Sequence, residues 1–335
     1  MDPETSDRVD ERLEELYRRH LELREADGEA ARYYSSELGY YQPERGANES
    51  DRFGVCLVSV DGDVHTAGDH DFPFALQSLS KVFVYGMALE EHGRKEVLRR
   101  VGVKPSADAF TTLGFDEATN RPYNPMLNGG ALATTDMMLG PSFDDSFERI
   151  LETLRRYAGN DSLVADEETF RAECRGADRN RATAYLMRSN GMLAGDVDET
   201  LRLYLRQCSV HVTCRDLAVM AATLANGCAC PVTGDRALAR GRVRDLLSVM
   251  YTCGMYDFAG EWAYEIGVPA KSGVSGGIMA VVPGKMGIGV FSPGLDRHGN
   301  SVRGVRVCAE ISERLGLHTF ATEAEDALLG EAPPA

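Results

Sequence analysis

The chain has 335 residues, of which 52 are acidic and 36 are lysine or arginine, so its formal net charge is −16 at pH 7. Such an acidic surface argues against nucleic acid and anionic membranes as partners, and no apolar run reaches the roughly 18 residues of a transmembrane helix. The acidic first residues lack the apolar core of a secretion signal, which makes a cytoplasmic location the expectation.

The first predicted element is a charged helix over residues 7–26. Apolar positions recur on one face of this helix at spacings of four and three residues. They are Val9, Leu13, Leu16, His20 and Leu23. A face of this kind suits packing against the helix's own domain, and the alternative is a contact with a second subunit.

The rest of the chain separates into blocks of strands and helices. In chain order these are strands at 53–60 and 64–67, a helix over 78–93, an irregular loop over 101–128, helices at 143–157, 166–173, 179–189, 197–207, 213–225 and 242–251, strands at 278–283, 286–292 and 302–308, and a short helix at 309–316. The dipeptide Asp61-Gly62 is a strong signal for a β-hairpin turn, which predicts that the first two strands pair with each other.

This order of elements predicts an α+β fold. Its N-terminal and C-terminal segments would form one mainly antiparallel sheet, and the middle of the chain would form a helical subdomain. We expect an N-terminal helical extension over 1–26, a main domain over 27–320 with its helical subdomain at about 95–256, and a tail over 321–335.

Cysteine and lysine usage adds further expectations. Eight cysteines occur without a Cys-x-x-Cys pair, and no histidine stands at metal-ligand spacing from Cys228 and Cys230. We therefore expect reduced thiols, no metal and no cofactor. The chain holds five lysines, and this scarcity together with the acid excess fits either a salt-adapted host or GC-rich coding.

The tetrad Ser78-Leu79-Ser80-Lys81 carries the clearest chemical signal. Residues three apart share one face of a helix, so Ser78 and Lys81 lie side by side. A serine hydroxyl needs an adjacent base to act as a nucleophile, and a lysine can be that base when burial lowers its pKa. Alone, this motif also fits a solvated helix start.

A second motif strengthens this interpretation. Lys271-Ser272-Gly273 follows far along the chain, and penicillin-recognising serine enzymes pair a Ser-x-x-Lys helix with a Lys-Ser/Thr-Gly strand in this order.

With both motifs placed, the chain resembles the serine-dependent glutaminases of the β-lactamase-like superfamily, from about residue 28 to residue 317. The segments that carry the resemblance are 74–83, 124–130, 178–180, 217–227, 253–257 and 269–277. After Tyr33 the chain has Tyr-Ser-Ser where this family usually has Ile-Pro. The ankyrin repeats of animal members are absent, which makes the chain similar to a compact microbial form.

The resemblance implies a β-lactamase-like fold and hydrolysis of L-glutamine to L-glutamate and ammonia. Ser78 would be the nucleophile, and Lys81 with Tyr256 would move its proton. The backbone N–H groups of Ser78 and Val274 would stabilise the oxyanion.

The resemblance also implies a set of residues that bind the substrate. Glu173 would meet the α-ammonium group, while Asn128, Asn180, Tyr204 and Tyr33 would complete the pocket around the α-amino and α-carboxylate groups. The family further suggests a homo-oligomer, either a dimer or a tetramer.

Two other functions remain open at this stage. A β-lactamase or D,D-peptidase shares both lysine motifs, although such enzymes work outside the cytoplasm. An amino-acid sensor without catalysis would use the same fold, but it would not need Ser78, Lys81 and Tyr256.

Overall fold

The computed structural model describes residues 3–21, 51–106, 115–116 and 118–321. Tyr33 lies outside these residues. The strands are β1 (Gly54–Ser59), β2 (Val64–Gly68), β3 (Phe74–Ala75), β4 (Phe115–Asp116), β5 (Arg121–Pro122), β6 (His211–Val212), β7 (Ala270–Ser272), β8 (Gly277–Val282) and β9 (Met286–Phe291). The helices are α1 (Pro3–Leu21), α2 (Ser80–Arg100), α3 (Asn128–Asp136), α4 (Phe143–Ala158), α5 (Glu167–Arg175), α6 (Asp178–Ser189), α7 (Val197–Cys208), α8 (Cys214–Ala225), α9 (Val243–Cys253), α10 (Ala259–Glu265) and α11 (Val302–Arg314).

A five-stranded sheet in the order β2-β1-β9-β8-β7 forms the centre of the fold. All four strand pairings are antiparallel. The sheet therefore joins N-terminal and C-terminal segments, and the helices α2 to α10 come between them in the chain. This arrangement confirms the α+β prediction.

Helix α8 packs directly on one face of the sheet, and two glycines of β9 make this possible. A Cβ atom at Gly287 would lie 2.1 Å from the backbone nitrogen of Ala222, and one at Gly289 would lie 2.3 Å from the carbonyl oxygen of Cys214. Alternate residues of a strand face the same side, so the pair clears one continuous groove for the helix.

The opposite face of the sheet is covered by α1, α10 and α11. Leu13 and Leu16 of α1 are buried in the same apolar cluster as Trp262 and Val307. Helix α1 therefore packs on its own domain, which is the first of the two alternatives for its apolar face.

The predicted helices between residues 143 and 251 agree with α4 to α9 to within two residues at each end. Helix α2 starts at Ser80, and one 3₁₀ turn, Gln77–Leu79, precedes it. The predicted end at Gly93 is a break, where φ is +75°, after which helical turns continue to Arg100. Helix α3 begins at Asn128, the last residue of the predicted irregular loop, and covers residues for which the sequence predicted no element.

The strand predicted at 302–308 is wrong, because these residues form the first half of α11. Three valines in this segment favour a strand locally. The buried positions instead recur at helical spacing, and the Ser301 hydroxyl accepts a hydrogen bond from the backbone N–H of Gly304 as an N-cap. No helix among the described residues is long and apolar enough to cross a membrane.

Candidate active site

The turn that carries Ser78 is fixed from both sides. Strand β3 pairs with β6 just before it, and the Leu76 N–H donates to the carbonyl of Val210 at 2.8 Å. The Ser80 hydroxyl donates back to the carbonyl of Gln77 at 2.8 Å. Gln77 has φ of +50°, a left-handed conformation that is uncommon for a residue with a side chain. A rigid, sharp turn therefore presents Ser78 at the start of α2.

Lys81 lies beside this serine, as the spacing predicted. Its Nζ donates to Ser78 Oγ at 3.0 Å, to the carbonyl of Met126 at 3.2 Å and to Asn128 Oδ1 at 2.8 Å. All three partners are neutral. Lys81 is fully buried, and burial lowers the pKa of its amine from 10.5 to about 8. A pKa of about 8 leaves roughly a tenth of this lysine uncharged at pH 7 and about half of it uncharged at pH 8.

Asn128 connects the lysine to the next part of the site. Its Nδ2 donates to Asn180 Oδ1 at 2.9 Å, and the hydroxyl of Tyr204 lies 3.4 Å from its Oδ1. These residues come from α3, α6 and α7. The side chains of Ser78, Lys81, Asn128, Asn180 and Tyr204 are thus joined by successive hydrogen bonds.

Glu173 reaches the site through the residue that precedes Ser78. Gln77 Nε2 donates to Glu173 Oε1 at 2.8 Å. The Glu173 side chain is almost fully buried, and this burial raises the pKa of its carboxyl group, while the hydrogen bond from Gln77 opposes the rise. A buried carboxylate with one neutral donor is suited to receive a cation.

Tyr256 and Val274 lie on the β7 side of the site. The Tyr256 hydroxyl donates to the carbonyl of Ser272 at 3.0 Å. Val274 follows the end of β7, and it is buried in a small apolar cluster with Tyr256, Leu127 and Leu295. Gly273 lies beside the Ser78 turn, where a Cβ atom would be in ordinary contact with the carbonyl oxygen of Leu76, at 3.4 Å.

Sequence reasoning assigned no role to several residues that shape the site. Asn124 Oδ1 accepts the N–H groups of Met126 and Leu127, at 3.0 and 3.2 Å, in a turn that presents the Met126 carbonyl to Lys81. The Asn-Pro dipeptide at 124–125 was an available turn signal. The pairing of Gln77 with Glu173 had no local signal, because it spans 96 residues.

Among the described residues, no group of three or more His, Cys, Asp or Glu side chains could hold a metal ion. The geometry instead resembles a serine hydrolase with a lysine base. A family model described as Glutaminase matches residues 37–320. This chain belongs to the glutaminase family.

Glutaminase relatives are similar over most of the chain. The glutaminase of Trichormus variabilis is 55% identical over 280 residues, which make up 84% of this chain and 84% of that protein. Glutaminase 2 of Clostridium perfringens is 44% identical, across 84% of this chain and 93% of its own length.

Solved glutaminase structures have the same fold. A protein described as the probable glutaminase YbaS superposes with a TM-score of 0.85 at 34% identity, covering 96% of this chain and 99% of that one. A Bacillus glutaminase gives a TM-score of 0.81 at 32% identity, covering 93% of this chain and 100% of that one. These glutaminase neighbours confirm the expected β-lactamase-like fold.

Proposed function

We propose that this glutaminase hydrolyses the side-chain amide of L-glutamine to L-glutamate and ammonia through a covalent Ser78 acyl-enzyme. The observation that carries this mechanism is the contact between Ser78 and a fully buried lysine whose three partners are neutral. Such a lysine can accept a proton near neutral pH, whereas a solvated lysine is almost entirely protonated there.

The acylation step would begin with the Ser78 hydroxyl. As Oγ attacks the amide carbon, its proton passes to Lys81 Nζ across the 3.0 Å contact. The carbonyl π bond opens, and the resulting oxyanion is met by the N–H groups of Ser78 and Val274. Collapse of this intermediate breaks the C–N bond, and the proton on Lys81 reaches the departing nitrogen with the help of Tyr256.

Deacylation would use the same groups in reverse. A water molecule attacks the acyl ester carbon, and Lys81 accepts the proton that this water loses. Collapse of the second tetrahedral intermediate returns a proton to Ser78 Oγ and releases L-glutamate.

Substrate recognition would rely on the two charged groups of the amino acid. The buried carboxylate of Glu173 would pair with the α-ammonium group in place of the Gln77 amide. Asn128, Asn180 and Tyr204 would supply hydrogen bonds to the α-amino and α-carboxylate groups. The participation of Tyr33 in this pocket stays a prediction from the sequence. This arrangement would place the side-chain amide of glutamine toward Ser78.

An ammonia-release assay tests the proposal. The purified protein is incubated with glutamine, asparagine and a chromogenic β-lactam, and ammonia and ring opening are measured in parallel. We expect ammonia from glutamine and no ring opening. A β-lactam substrate, or binding of glutamine without turnover, would replace the proposal with one of the two alternatives.

We also propose a cytoplasmic, homo-oligomeric protein, either a dimer or a tetramer. All eight cysteines are free thiols, which fits a reducing compartment. Light scattering coupled to gel filtration would give the number of subunits. The domain boundaries at residues 27 and 320 remain proposals that limited proteolysis can test.

A further inference from the structure

Lys271 is a buried lysine to which the proposed mechanism gives no role. Its side chain is fully buried at the centre of β7. Nζ donates to the carbonyl of Gly254 at 2.9 Å and to the carbonyl of Ser272 at 2.6 Å. It also lies 4.1 Å from the centre of the Tyr256 ring.

These contacts direct the amine toward protein atoms. Two of its N–H groups donate to the carbonyl groups of Gly254 and Ser272. The nitrogen also lies over the face of the Tyr256 ring. Burial and the charge of Lys81 lower the pKa of Lys271 well below its usual value, and the Cys253 thiol opposes this only in part. An amine held in this way is a poor partner for a substrate carboxylate.

Lys271 and Tyr256 meet at one acceptor. The carbonyl of Ser272 receives both the Lys271 amine and the Tyr256 hydroxyl, the latter at 3.0 Å. Tyr256 itself has φ of +58°, a left-handed conformation that is unfavourable for a residue with a side chain. Surrounding contacts must therefore hold this tyrosine in place.

We propose that Lys271 is a positioning residue that fixes the ring and the hydroxyl of Tyr256 for proton transfer, and that it does not bind the substrate. This inference rests on the proposed function, in which Tyr256 helps to move the proton between Ser78 and the leaving ammonia. The Gly254 carbonyl ties the amine to the end of α9, and the Ser272 carbonyl ties it to β7. Lys271 thereby links the two segments that flank Tyr256.

The first test separates positioning from substrate binding. Lys271→Met keeps the length of the side chain and removes its donors, and Lys285→Met makes the same change at an exposed turn as the control. We expect kcat for glutamine to fall about tenfold or more, as a displaced catalytic group allows, with KM within about twofold. A tenfold rise in KM at preserved kcat, or no change in either constant, would overturn the proposal.

The second test asks whether the effect passes through the Tyr256 hydroxyl. In a Tyr256→Phe background, Lys271→Met should lower kcat by much less than it does in the wild type, because the group that it positions is already absent. Equal losses of kcat in the two backgrounds would show that Lys271 acts independently of the hydroxyl and would contradict the inference.

A third measurement needs neither activity nor a Lys271 variant. With five lysines in the chain, ¹³Cε-labelled lysine gives a simple spectrum, in which the Lys271 methylene should be shifted upfield by the Tyr256 ring. The shift should persist in Tyr256→Phe and disappear in Tyr256→Leu. If no lysine signal moves between these variants, the contact is absent and the inference fails. A wild type that shows the shift but releases no ammonia would instead contradict the proposed function.

Discussion

Asn128 Oδ1 accepts a hydrogen bond from Lys81 Nζ at 2.8 Å, and the same side chain donates from Nδ2 to Asn180 Oδ1 at 2.9 Å. One amide thus contacts both the proposed base and a residue of the proposed substrate pocket. Because an amide carries no net charge, it orients the lysine amine without holding a proton on it. A carboxylate in the same place would favour the ammonium form.

Replacing the nucleophile tests the acyl-enzyme directly. Ser78→Ala should lower kcat by about 10⁴- to 10⁶-fold, the range found when a serine hydrolase loses its nucleophile. Calorimetric titration should still detect glutamine binding, since the proposed binding groups belong to other residues. A variant that keeps a tenth of wild-type turnover would contradict the covalent mechanism.

Replacing the base separates charge from proton transfer. Lys81→Arg should be nearly as inactive as Lys81→Ala, because a guanidinium group keeps its proton at all accessible pH values. Lys95→Arg makes the same change at an exposed position of α2 and should keep wild-type activity. Substantial activity in Lys81→Arg would make the residue an electrostatic group and would require another base.

The pH dependence of the wild type follows from the lowered pKa of Lys81. In the proposed mechanism the uncharged amine is the active form, so kcat/KM should rise with pH through a midpoint at about pH 8 and level off about one pH unit higher. The pH profile of kcat is the control, because kcat reports ionisations of the enzyme–substrate complex and not those of free glutamine. A flat profile from pH 5 to 10 would contradict a lysine base.

Asn128→Asp should shift this profile in a defined direction. The new carboxylate would lie about where Asn128 Oδ1 contacts Lys81, and a carboxylate that close stabilises the ammonium form. The acidic limb should therefore move to higher pH by about 1–3 units. Asn180→Asp places the negative charge farther from Lys81, because Asn128 lies between the two residues. The shift of the acidic limb should therefore be smaller in this variant. An unmoved limb in Asn128→Asp would assign the limb to a group other than Lys81.

Glu173→Gln tests recognition of the α-ammonium group. The substitution keeps the volume of the side chain and an acceptor for Gln77, but removes the negative charge. KM for glutamine should rise about 10- to 100-fold, as expected for loss of a charged hydrogen bond, while kcat changes much less. Glu168→Gln, at an exposed position of α5, is the control. A large loss of kcat at constant KM would instead place Glu173 in the chemical steps.

The sequence predicted the parts of this molecule whose signals are local. Ser78 and Lys81 are three residues apart, and Asp61-Gly62 is a hairpin turn, so both followed from short-range geometry. The strand predicted at 302–308 is wrong because its three valines favour a strand locally, whereas the burial of one helical face depends on packing within the folded protein. The sharing of Ser272's carbonyl by Lys271 and Tyr256 depends on tertiary packing, and no sequence pattern encodes it.

The hydrogen bond between Gln77 and Glu173 has a consequence for the substrate specificity of the proposed site. The side-chain amide of Gln77 donates a hydrogen bond to the buried carboxylate of Glu173. In the proposed binding mode a ligand would replace this neutral donor, and the protonated amine of a free amino acid is a stronger partner for a carboxylate. A glutamine inside a peptide chain has only a neutral N–H at that position, so it gains nothing from the exchange. With Glu173 in its proposed role, the site would select amino acids with a free α-ammonium group and would discriminate against glutamine within a peptide chain.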